Sequence, residues 1–183
     1  MNYRNEQIPL PVLEKQYKTG HYMLLATIIA TVVDIALLLG QADLYIPYFA
    51  ALPYYLTALG FLFDGNTLNT YTATGMVMAF VLLAGWLLVW WMSRTNRKWL
   101  MAGMGLVIAD TVVLAIFALL FLESPAVCLW PGLLHLAVIY EIHVGNRAAK
   151  RMEQMKQQPP ANVYDPFQEE TPAETEYVSD LDQ

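Results

Sequence analysis

The apolar positions of this 183-residue chain fall in long blocks, without the alternation of a strand or the single stripe of a soluble helix. Four blocks, residues 21–40, 74–92, 99–122 and 126–144, come close to the ~20 residues that cross a hydrocarbon layer. A fifth stretch, 45–63, is apolar and aromatic, contains Pro47 and Pro53, and gives way to polar residues 64–74. The pattern predicts an all-α polytopic membrane protein. It has four transmembrane helices and one further segment, 45–63, that lies in the outer interface or re-enters the bundle.

Composition agrees with that class: 57% of residues are hydrophobic and only 14% charged, too apolar for an ordinary soluble domain. The positive charges are grouped as Arg4, Lys15 and Lys18; Arg94, Arg97 and Lys98; and Arg147, Lys150, Arg151 and Lys156. Basic residues beside spans stay cytoplasmic, so both termini are expected inside. A fifth crossing by 45–63 would place the later clusters outside, whereas Tyr45, Tyr48, Tyr54 and Tyr55 suit an interface.

Three divisions follow. Residues 1–20 form a cytoplasmic arm in which Pro9 and Pro11 discourage a helix. Residues 21–146 are the membrane bundle. Residues 147–183 begin as a basic segment and continue as an acidic tail. From residue 157 onward the tail holds Asp165, Glu169, Glu170, Glu174, Glu176, Asp180 and Asp182 with no basic residue, and its prolines predict disorder. The first span is read as retained, since Asp34 lies within it and it exceeds an ordinary signal core.

Charge and cysteine usage narrow the function. No extended basic surface is available for phosphates, so nucleic acid is not an expected partner. The lone Cys128 forms no internal disulfide, and no zinc spacing is present. Trp86, Trp90, Trp91 and Trp99 read as an aromatic belt at the cytoplasmic interface. Glu123, Ser124 and Pro125 read as a tight outer turn.

The chemistry lies in the ionisable residues inside the spans. Asp34, Asp110 and His135 each sit within an apolar block, where such a group costs roughly 2.5–3.5 kcal/mol on insertion scales. They are therefore expected to face inward and share hydrogen bonds. Thr27, Thr31 and Asp34 occupy one face of the first helix. Ala102, Gly105 and Ala109 make a small-residue stripe that would let a neighbouring helix approach. Such a cluster either conducts ions or protons or pins helices together. Glu141 and His143, nearer the cytoplasmic end, are secondary candidates. A metalloprotease motif fails because His135 and His143 are eight apart, and no nucleophile elbow, Walker loop or dinucleotide fingerprint is present. The expected protein is not an enzyme and needs no cofactor or metal.

Several segments resemble a group of small polytopic membrane proteins from low-GC Gram-positive bacteria, whose activity is not known. They are Thr19-Gly-His-Tyr22, Ile46-Pro-Tyr48 through Gly60, Trp99-Leu100 leading to Ala109-Asp-Thr111, and His135 through Gly145 with Ala148. The resemblance implies a multi-pass protein of the bacterial plasma membrane. Two functions are carried forward: a non-enzymatic accessory or scaffold subunit, joined to its own copies or to a membrane complex, and a small oligomeric transporter or ion-conducting protein.

Overall fold

A computed structural model describes residues 8–42, 44, 50–121 and 129–157. The described chain forms α1 (Leu10–Leu39), α2 (Ala51–Phe63), α3 (Thr70–Met92), α4 (Arg97–Phe121) and α5 (Leu129–Gln157), and no strand is present among the described residues. Residues 1–7, the turn at 123–125, Cys128, Tyr45, Tyr48 and the acidic tail from 158 onward lie outside them. Among the described residues three helices are long and apolar enough to cross a membrane: Leu10–Leu39, Thr70–Met92 and Arg97–Leu120. Their outer faces carry large exposed apolar side chains such as Ile29, Val77, Val81, Val112 and Leu119. An apolar surface of that extent calls for lipid. The protein is therefore associated with a membrane through its helices.

Helix extends beyond the expected spans at both ends of the described chain. The segment read as an arm is helical from Leu10, because Pro11 lies in the first turn of α1, where a missing N–H is harmless. The basic segment after residue 146 continues α5 as helix to Gln157. Its buried face, including Ala148 and Ala149, is matched on α1 by the fully buried Leu13.

α1 and α5 run antiparallel and touch backbone to backbone. A Cβ on Gly20 would lie 3.0 Å from the Glu141 carbonyl oxygen, and one on Gly145 would lie 3.2 Å from that of Gln16. α2 and α3 form a second close pair, joined by residues 64–69. Gly60 faces the backbone at Tyr71 and Thr72, and Gly75 faces that at Leu56 and Thr57.

Contacts between helix ends collect the described basic clusters at one end of the bundle. Tyr17 on α1 donates its hydroxyl hydrogen to the Ser93 carbonyl after α3. Arg97 at the start of α4 pairs with Glu153 late in α5 at 3.2 Å. At this basic end Asn96 caps α4 by accepting the Lys98 N–H at 2.9 Å.

The opposite end is built from two helix terminations of the same kind. After α1, Gln41 adopts φ 50°, and the Ala42 N–H reaches the Leu37 carbonyl at 3.0 Å. After α2, Gly65 adopts φ 65°, and the Asn66 N–H reaches the Phe61 carbonyl at 2.9 Å. Both are Schellman closures. The Gln41 side-chain amide ties them together by donating to the Asn66 carbonyl at 3.1 Å. Asp64 then serves α3, accepting the Thr72 N–H at 2.6 Å and the Thr72 hydroxyl at 2.8 Å. Desolvation works to raise the pKa of this carboxyl, but the hydrogen bonds from Thr72, Tyr71 and Asn69 prevail and hold it below the ordinary carboxylate value.

Candidate functional site

The five principal polar residues expected inside the bundle, Thr27, Thr31, Asp34, Asp110 and His135, are all buried. Three of them converge on the N-terminus of α2. A helix leaves its first four N–H groups without intrahelical partners, and a buried one costs about 1–3 kcal/mol. Here each is resolved. The Ala50 N–H donates to the Thr31 hydroxyl oxygen at 2.7 Å. The Ala51 and Leu52 N–H groups donate to the two Asp110 carboxylate oxygens at 2.6 and 2.9 Å. The fourth position is Pro53, which has no N–H at all. The next N–H, that of Tyr54, returns to the Ala50 carbonyl at 3.3 Å, and the helix proceeds.

α2 has no side-chain cap of its own. The cap comes instead from α1 and α4, and the carboxylate also meets the positive end of the helix dipole. Thr31 is fixed in turn, donating its hydroxyl hydrogen to the Thr27 carbonyl at 2.7 Å. Thr27 donates to the Met23 carbonyl at 2.9 Å.

His135 completes the arrangement from α5. Its Nδ1 lies 2.8 Å from the Pro131 carbonyl oxygen, which can only accept, so Nδ1 carries a hydrogen. Its Nε2 lies 3.2 Å from Asp110 Oδ2. That contact holds one proton, either in an imidazolium–carboxylate pair or in a neutral imidazole facing a carboxylic acid. The imidazole orients Asp110 as the second layer of the same cap. Pro131 is the third residue of α5, where its missing N–H removes no intrahelical bond.

Asp34 is buried but belongs to another environment. It lines a cavity of about 540 Å³ between α1 and α2 at the non-basic end, together with Gln41, Tyr54, Phe61 and Asn66. Glu141 is half-buried and His143 is exposed, and neither joins the cap. Among the described residues no three His, Cys, Asp or Glu side chains converge as metal ligands.

Two features read from the sequence take orientations that spacing did not fix. Ala102, Gly105 and Ala109 are exposed, and a Cβ on Gly105 would meet nothing within 4 Å. The glycine that faces inward is Gly103, against the Leu24 side chain. Helical spacing groups small residues on one face without saying which face packs. Among the belt tryptophans, Trp91 is exposed but Trp86 and Trp90 are buried.

A second polar knot, at the basic end, escaped sequence reading. His21 Nδ1 lies 2.7 Å from the Ser93 hydroxyl, and that hydroxyl donates to the Trp90 carbonyl at 2.7 Å. The His21 ring stacks on Trp90 with centroids 5.3 Å apart. The Arg94 guanidinium covers Trp90 at 4.3 Å. The only sequence signal was a histidine and a serine at span ends, which polar interface residues share.

No known protein family matches the sequence, and neither a curated protein nor a solved structure shows significant similarity to it.

Proposed function

We propose that the chain is a non-enzymatic accessory subunit of the bacterial plasma membrane, multi-pass, with four spans and both termini cytoplasmic. The basic end of the bundle is the cytoplasmic one under the positive-inside bias. α5 is the fourth span: it lies antiparallel against α1, and His135, Glu141 and Asn146 lower its hydropathy without shortening it. α2 is a re-entrant half-helix that starts at mid-depth and returns to the outer side.

The accessory reading rests on one observation: both oxygens of Asp110 are engaged by the backbone of α2. This buried carboxylate thereby acts as helix glue. Toward the basic end, the side chains next to it and to His135 are the buried, apolar Leu24, Val107, Val138 and Ile142. Thr27, buried one turn from Thr31 on that side, is the polar group through which the ion-conducting alternative would have to continue among the described residues. The outward stripe of Ala102, Gly105 and Ala109 suits close approach by a helix of a second copy or of a membrane partner.

Crosslinking in the native membrane, followed by native mass measurement in mild detergent, is expected to recover an oligomer or a defined partner complex. Gly105→Leu should reduce that recovery while the fold persists. A monodisperse monomer with no partner, together with proton or cation flux in proteoliposomes abolished by Asp110→Asn, would favour the conducting reading.

A further inference from the structure

The cavity at the non-basic end is lined from α1, α2 and the residues that follow each. Its volume of about 540 Å³ falls within the range of small-molecule sites. Asp34 is the only Asp, Glu, Lys or Arg among its described lining residues. Tyr54 and Phe61 supply aromatic wall, Leu38 adds an aliphatic surface, and Gln41 and Asn66 bring polar groups where the caps of α1 and α2 are tied together. No basic side chain of the described residues lines it.

We propose that this cavity binds a small organic cation, a primary amine with an apolar body, entering from the outer face. The carboxylate of Asp34 receives the ammonium, and the aromatic rings favour a positive charge by their π-faces. A bare metal ion fits poorly. Calcium takes six to eight oxygen ligands, whereas this cavity offers one carboxylate and two side-chain amides. An anion would face Asp34 without a compensating base. Asp110 and His135, which bond one another and the backbone of α2, are not among its described lining residues. This assignment does not depend on the accessory role; only the side of entry rests on the topology proposed above.

The test uses the full chain in neutral phosphatidylcholine nanodiscs, with phenethylamine as probe and 2-phenylethanol as its uncharged counterpart, followed by calorimetry or saturation-transfer NMR. Saturable binding of the amine, not shared by the alcohol, is expected. Asp34→Asn should weaken it at least about tenfold, the equivalent of one charged hydrogen bond, and Asp34→Glu should retain it. Ala42 also lines the cavity but is exposed and lies outside the helices. Ala42→Trp should therefore block binding without burdening the core, and it decides the matter if Asp34→Asn fails to fold. Equal binding of amine and alcohol, no saturable binding, or binding unchanged by Ala42→Trp would overturn the proposal.

Discussion

Replacing Asp110 with leucine is expected to lower the unfolding free energy of the detergent-solubilised protein by about 3–5 kcal/mol, the range for removing one member of a buried pair. The loss has three sources. The N–H groups of Ala51 and Leu52 lose their acceptors, the positive end of α2 loses its counter-charge, and His135 Nε2 loses its partner. Leucine nearly matches the volume, so packing contributes little. Asp110→Asn should cost less, about 1–2 kcal/mol, because one oxygen still accepts while the amide nitrogen opposes a donor. Equilibrium unfolding in mixed micelles titrated with dodecyl sulfate measures both. Equal effects of the two variants would mean that charge alone matters, and effects below about 0.5 kcal/mol, typical of uninvolved surface positions, would mean that α2 is not held by Asp110.

The hairpin of α2 and α3 supplies the second large effect. A Cβ at Gly60 would overlap the Tyr71 carbonyl and lie 3.1 Å from the Thr72 Cα. One at Gly75 would overlap the Leu56 carbonyl and lie 3.2 Å from the Thr57 Cα. These neighbours are backbone and cannot rotate aside, so the helices must separate. Alanine at either position should destabilise by about 3 kcal/mol, the upper part of the overpacking range. Gly85, on the same helix as Gly75, meets nothing within 4 Å. Gly85→Ala should be neutral or stabilising by up to about 1 kcal/mol through helix propensity. A comparable loss at all three sites would show that glycine matters here for something other than helix approach. The same unfolding assay separates these results.

What the sequence made legible follows from cost. Asp110 and His135 stood out because an ionisable side chain inside an apolar block must find a partner, and they do meet. Their principal client was invisible, because the donors are backbone N–H groups and backbone carries no sequence signature. Ala50 and Ala51 look like filler, and Pro53 looks like a helix breaker until it is placed where the fourth unpaired N–H would fall. Pro11 misled for the same reason: the rule against proline concerns helix interiors, and α1 begins just before it. The blocks at 74–92 and 99–122 recur as α3 and α4 with shifts of a few residues, since apolar length is a strong signal. Which face of α4 packs was not encoded in spacing, and Gly103 took the place expected of Gly105.

In the proposed arrangement α2 enters the bundle with its capped end deep and its Schellman end near the outer surface. Spin labels introduced at Leu52→Cys and Leu62→Cys, in a Cys128→Ser background, report that directly through their relative exposure to oxygen and to a water-soluble relaxant in liposomes. Ten residues of helix rise about 15 Å. The label at position 52 should therefore lie roughly 10–15 Å deeper than the label at 62, allowing for tilt. Equal depths for the two labels would place α2 flat in the interface and contradict the account.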